Sequence, residues 1–153
     1  MNNYDISQVL PHKSPMILID SINQYDVDSC RCTVTITADS PFYNAERKAV
    51  PSYIGNEYMA QAIAAFAGAH ALDNQDDVQI GFLLGSRKYK TMRSHFELDE
   101  TLTITIKELY REDSGLRVFE CAILSLENDV LAQANINVFQ PENPDAFIQA
   151  SYE

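Results

Sequence analysis

Glycine and proline are scarce in this chain, five and six residues among 153. With 46% apolar and 22% charged residues beside them, that scarcity excludes a disordered, collagen-like or low-complexity protein. Positive charge is also scarce. Eleven basic residues stand against 22 acidic ones, a formal net charge of −11. Such a field repels phosphate backbones and anionic lipid, which argues against nucleic acid and membrane surfaces as partners. The most apolar stretch, Ala60 to Leu72, is mostly alanine and too short to cross a bilayer, so no membrane span is expected. The opening MNNYDISQVL has no basic stretch followed by an apolar one. A secretory signal is therefore not expected, and the protein reads as cytoplasmic.

Cysteine and histidine are equally few. Cys30 and Cys32 lie two apart in a strand-like run, so they point the same way without the geometry for a mutual disulfide. With Cys121 they read as reduced core thiols. His12, His70 and His95 are isolated in sequence and show no zinc spacing, so no metal site is expected. His12 and His70 read as structural, and His95 as a solvent-exposed loop residue.

What the chain does contain is periodic. Its length fits one domain, residues 1–153, large enough to bury a core without covalent staples. Asp5 to Leu10 reads as a short helix stopped by Pro11. Met16 to Ile22 is an apolar run that predicts a buried strand. Cys32 to Thr37 alternates apolar residues with threonine, the pattern of a half-buried strand. Asp39 to Val50 is irregular. Tyr53 to about Leu72 reads as one long helix, with Ser52 as N-cap and Asp73-Asn74 as its stop. From Met59 onward nearly every side of it is small or apolar, which predicts a helix buried all round. Further strands are expected over Val78 to Leu84, Leu102 to Ile106, Leu116 to Leu126 and Val130 to Val138. The last two would form a hairpin turned by Asn128-Asp129. The sum is an α+β fold: an antiparallel sheet of about six strands wrapped round one long buried helix. Its open edges predict dimerisation.

This arrangement resembles the hot-dog fold, and the motifs narrow the match. Leu10-Pro11-His12-Lys13-Ser14-Pro15 through Asp20 resembles the opening of FabZ-type β-hydroxyacyl-[acyl-carrier-protein] dehydratases. Pro51-Ser52 followed by Glu57-Tyr58-Met59-Ala60-Gln61 resembles the start of their central helix. Pro41 to Glu46, Leu84-Gly85-Ser86-Arg87 and Phe139-Gln140-Pro141 look like the ApeP branch, dehydratase-like proteins of aryl-polyene lipid biosynthesis.

The resemblance places the family's catalytic carboxyl on Glu57. Beside an apolar tunnel such a carboxyl could stay protonated and act as a general acid, although the helix N-terminus favours its charged form. On the residues alone, Glu57 reads first as a first-turn glutamate that complements the helix dipole, and the resemblance is what turns the reading toward catalysis. Gln61 lies one turn on, where it either orients Glu57 or serves as a buried amide bonded to a strand. The family's GHFP segment, whose histidine is the base, falls here on Phe42-Tyr43-Asn44-Ala45. No histidine is present, and a phenol with a reference pKa of about 10 is a poor base near neutrality. Tyr43 and Asn44 are therefore supporting candidates only.

In the family the histidine and the carboxyl of one site come from different subunits. The resemblance thus implies a homodimer with little activity, or a heterodimer whose second hot-dog subunit supplies the histidine. It implies no cofactor, because the 3-hydroxyacyl substrate rides on the phosphopantetheine of an acyl carrier protein. Arg87, Lys88, Lys90 and Arg93 gather four of the eleven basic residues. They read either as a docking patch for that acidic carrier or as a charged edge strand that blocks aggregation. Two other functions fit the same residues: a hot-dog acyl thioesterase using Glu57 to direct water, and a non-catalytic partner subunit that binds acyl chains.

Overall fold

A computed structural model describes residues 1–79 and 82–139, with the backbone alone for residues 82–84, 86 and 87. Ile80, Gly81 and the Gln140-Pro141 motif lie outside the described residues. Helix α1 spans Ile6–Val9. Strands β1 (Ser21–Tyr25), β2 (Ser29–Thr35) and β3 (Ala49–Pro51) follow. A 3-10 turn, Ser52–Ile54, then leads into α2, Gly55–Asp73. Beyond it come β4 (Phe82–Thr91), β5 (His95–Glu97), β6 (Thr101–Arg111), β7 (Leu116–Leu124) and β8 (Val130–Phe139).

Six strands form one antiparallel sheet in the order β1-β2-β6-β7-β8-β4, and β3 pairs with β5 in a separate two-stranded sheet. The expected six-stranded sheet is present, and α2 touches every strand of it. Alternation decides which face meets the helix. Cys30, Cys32 and Val34 of β2 are buried, as are Leu102, Ile104 and Ile106 of β6. Between them lie half-exposed threonines such as Thr33, Thr103 and Thr105. The β7–β8 hairpin turns at Asn128, whose φ is 68°, and Ser125 N–H donates to the Asp129 carbonyl at 2.9 Å. An asparagine tolerates that left-handed backbone better than a branched residue does.

Met59, Ala62, Ala65, Phe66 and Ala69 of α2 have no exposed surface. The helix is not covered on all sides, however. Ala60, Ala64, Ala67 and Ala71 form a half-exposed stripe along it. The expectation of burial all round is corrected to that extent: this chain's sheet covers most of the helix, and small apolar side chains line the remainder.

Four other expectations need correction. The Met16–Ile22 run is not a strand before Ser21: the Gln61 side chain of α2 takes the Met16 carbonyl and the Leu18 N–H, and the first backbone bond to β2 is from Asp20 N–H to the Thr33 carbonyl at 2.9 Å. Ser52 does not cap α2; it sits inside the 3-10 turn, and Ile54 is the N-cap with no side-chain hydrogen bond. Strand β5 replaces the expected loop at His95, which is half-buried rather than exposed. The strand expected from Val78 begins at Phe82.

Gly68 sets how closely α1 meets α2. A Cβ at Gly68 would stand 1.8 Å from the Val9 carbonyl oxygen. Only glycine lets the α1 backbone lie on the helix there, and Val9 is fully buried as a result.

Candidate active site

Glu57 is the third residue of α2 and is exposed. No side chain caps the helix start; the 3-10 turn runs into it, with the Gly55 N–H on the Ser52 and Tyr53 carbonyls, and Glu57 sits at the positive end of the helix dipole, which favours an anion. Among the described residues its carboxyl makes no hydrogen bond and no ion pair, and none of them joins it to Gln61, Tyr43 or Asn44. Among the described residues none covers it from water.

The scaffold under Glu57 is rigid. Tyr58 and Met59 next to it are buried at 2% and 0% exposure. Burial pushes the Tyr58 phenol well above its ordinary value, with a smaller contribution from Asp20. The Tyr89 hydroxyl donates to the Ser52 carbonyl and so latches edge strand β4 to the turn before the helix. Burial pushes that phenol up to about 12. Gly55 makes room for the latch: a Cβ there would lie 2.5 Å from the Tyr89 oxygen and 3.0 Å from Cδ1 of Ile123. Gly55 and Tyr89 escaped the sequence reading. The one available signal was a glycine in the first turn of a long helix, where propensity disfavours it.

The supporting residues each have a structural task. Gln61 is 5% exposed, and both ends of its amide are occupied. Its Oε1 accepts from Leu18 N–H at 2.8 Å and its Nε2 donates to the Met16 carbonyl at 2.7 Å. Asn44 organises its own loop: Oδ1 accepts from the N–H groups of Glu46 and Arg47 at 3.0 and 3.1 Å. Its backbone bridges Ala49, the first residue of β3. Tyr43 packs half-buried against the core, with its N–H on the Ser40 carbonyl at 3.1 Å.

The histidines are placed apart. His70 Nε2 lies 2.6 Å from the Asp26 carbonyl, and the ring meets Tyr25 and Phe66 edge-on, a structural role. His95 Nδ1 contacts Arg47 Nη2 at 3.2 Å and Ser94 Oγ at 2.9 Å. His12 keeps Nδ1 buried without a partner. No group of His, Cys, Asp and Glu among the described residues could hold a metal. The three cysteines are buried, and the Cys30 and Cys32 sulfurs lie 3.8 Å apart.

Arg87, Lys88 and Lys90 of the basic run fall on β4, an edge strand of the sheet, and Arg93 lies just beyond its end. Lys88 and Lys90 are exposed, and Lys88 has a φ of 57° where the β4–β8 register shifts. Arg93 is not available as a free cation, because its guanidinium pairs with Glu100 at 2.5 Å. The Arg87 side chain lies outside the described residues. Among the described residues no helix is long and apolar enough to cross a membrane.

Comparison with known proteins places this geometry. The sequence model of the ApeP-like family, described as ApeP dehydratase, matches residues 4–149. The 3-hydroxyacyl-[acyl-carrier-protein] dehydratase FabZ of Chlamydia trachomatis serovar L2 is 28% identical over 138 residues, covering 87% of this chain and 88% of that enzyme. The FabZ of Chlamydia muridarum is 33% identical over 91 residues, which are 56% of this chain and 59% of that enzyme. Among solved structures, the dehydratase heterocomplex ApeI:P from Xenorhabdus doucetiae matches with a TM-score of 0.90 at 28% identity. That match covers 99% of this chain and 100% of the other. The PaaI protein of E. coli, with a TM-score of 0.60 at 15% identity over 77% of this chain and 80% of that one, shares the fold alone. The chain therefore has the hot-dog fold and belongs to the ApeP-like dehydratase family.

Proposed function

We propose that this chain is one subunit of a heteromeric 3-hydroxyacyl-[acyl-carrier-protein] dehydratase and contributes Glu57 to a site completed by a second hot-dog subunit. The observation that carries the reading is the state of Glu57. It has no partner among the described residues and stands on a well-buried helix start, while the segment where the family keeps its histidine holds Tyr43 and Asn44. The close structural likeness to a dehydratase heterocomplex supports the second subunit. The half-exposed stripe of Ala60, Ala64, Ala67 and Ala71 offers that subunit a surface to cover.

In this mechanism the partner's histidine removes the α-proton of the acyl thioester. Glu57, shielded once the partner covers it, protonates the leaving 3-hydroxyl, and water departs to leave a trans double bond. The positive end of the α2 dipole favours the negative charge that develops on the thioester carbonyl. Gln61 supports Glu57 indirectly by fixing the 16–18 segment against the helix. Lys88 and Lys90 remain the part of the basic run suited to an acidic carrier protein. The chain alone lacks the base, whose absence costs on the order of 10²–10⁴ in rate. Dehydration assayed with the chain alone and with a co-purified partner tests the assembly. Activity in the mixture with little in either chain alone is expected; full activity of this chain by itself would refute the shared site.

A further inference from the structure

The outer face of the sheet carries a hollow that the proposed chemistry does not use. Across the ladder Gln24 faces Arg31, Arg31 faces Thr105, and Thr105 faces Ala122. Two residues along, Ser29 faces Lys107 and Lys107 faces Glu120. Alternation puts these side chains opposite Cys30, Cys32, Ile104, Ile106, Cys121 and Ile123, which are buried against the core. Thr105 and Ala122 are short and half-buried, whereas Gln24, Arg31, Lys107 and Glu120 are long and exposed. Short side chains thus floor a concavity walled by long ones. Its volume is about 300 Å³. That is the small end of the range for ligand sites, roughly 300–1,000 Å³.

The charges on its wall are unbalanced. Arg31 and Lys107 are diagonal neighbours on adjacent strands, and neither makes an ion pair among the described residues. Arg93, Arg111 and Arg117, in contrast, each hold a carboxylate. Like charges side by side destabilise a sheet. Acids outnumber bases two to one here, yet the one carboxylate on the wall, Glu120, stays beyond ion-pair distance of Lys107.

We propose that this hollow binds a small phosphate monoester. The Arg31 guanidinium presents a planar fork to two phosphate oxygens, and the Lys107 ammonium meets the remaining charge. The Thr105 hydroxyl on the floor is a further donor. A phosphate monoester carries about −1.5 to −2 near neutral pH, which matches two cations better than a single carboxylate does. Glu120 then accepts a hydrogen bond from a hydroxyl or amine on the ligand's organic part. The site lies on the face of the sheet opposite α2, so it is separate from Glu57.

Isotope-labelled chain titrated with glycerol 3-phosphate at constant chloride tests this by NMR. Saturable shifts are expected at amides of residues 29–31, 105–107 and 120–122. Arg31→Gln and Lys107→Gln should each weaken binding about tenfold or more, the size of one lost charge-assisted hydrogen bond. With inorganic phosphate as the probe, Glu120→Gln should tighten binding by removing a repulsive charge. None of the three variants should alter dehydration by the assembled complex. Vesicles containing phosphatidic acid distinguish a free ester from a lipid headgroup, and co-sedimentation is not expected from a chain of net charge −11. The absence of saturable shifts, or wild-type affinity in both cation variants, would overturn the site.

Discussion

Gln61 and Asp73 show how single polar side chains hold this fold. Gln61 spans the Met16 carbonyl and the Leu18 amide at 2.7 and 2.8 Å. Gln61→Ala strands the buried Leu18 N–H, at roughly 1–3 kcal/mol for a group left unsatisfied, while the Met16 carbonyl lies nearer solvent and costs less. The urea midpoint should fall with the slope unchanged, and a complex still folded should keep most of its rate. Asp73 is different, because it is an anion at the C-terminus of α2, where the helix dipole disfavours it. Three donors offset this: Tyr4 hydroxyl at 2.6 Å, Asn2 Nδ2 at 2.6 Å and Tyr25 hydroxyl at 2.7 Å. The Tyr4 bond first, then those of Asn2 and Tyr25, hold the Asp73 carboxyl below the usual carboxylate range despite some desolvation. A carboxyl lowered on folding stabilises the native state above its unfolded value, about 3.9, and loses that contribution as pH falls through the folded value. The stability gap between wild type and Asp73→Asn should therefore be constant above about pH 5 and shrink below pH 4. A gap that does not change with pH would mean that Asp73 is not ionised in this cluster.

Elements here are set by pattern where pairing is long and by single contacts where it is short. The alternation of Cys32, Val34 and Ile36, and of Leu102, Ile104 and Ile106, is visible in the sequence because one face of a long ladder is buried. Strands β3 and β5 were not visible. Each has three residues, and their pairing of Ala49 with Glu97 and Pro51 with His95 joins segments more than forty residues apart. The apolar run at Met16 misleads for a related reason. Its burial is real at Leu18 and Ile19, but Gln61 rather than a strand takes the Met16 carbonyl and the Leu18 N–H, and pairing with β2 starts only at Asp20. The close approach of α1 to α2 gives an element-scale prediction. Gly68→Ala gains about 1 kcal/mol of helix propensity. It also drives a methyl into the Val9 carbonyl, and overpacking of this kind costs about 1–3 kcal/mol. A net loss of thermal stability is expected, together with faster hydrogen exchange in residues 6–9. Unchanged exchange there would show that α1 accommodates the methyl.

For the whole molecule, part of the site was legible and part was not. That Glu57 falls in the first turn of α2 followed from Pro51 and the apolar run after it, whereas its proposed role came from the family resemblance alone. Its lack of partners followed from neither, because that depends on which surfaces the chain leaves uncovered. The net charge of −11 likewise conceals a local imbalance. Lys88 and Lys90 project from an edge strand, whereas Arg93 is neutralised by Glu100. Reversing both lysines to glutamate should weaken binding of an acidic carrier protein at low salt, and the difference should fade as salt screens it. The same reversal at Arg93 should instead reduce stability, since it sets two carboxylates together.

The central claim is that Glu57 is the acid of a site shared between two chains. Its most direct test is the dehydration rate of the purified heteromeric complex carrying Glu57→Gln, with assembly verified by mass. The account predicts an intact complex whose rate falls on the order of 10²–10⁴, the usual worth of one general acid. An intact complex that dehydrates its carrier-bound substrate at the wild-type rate would contradict it.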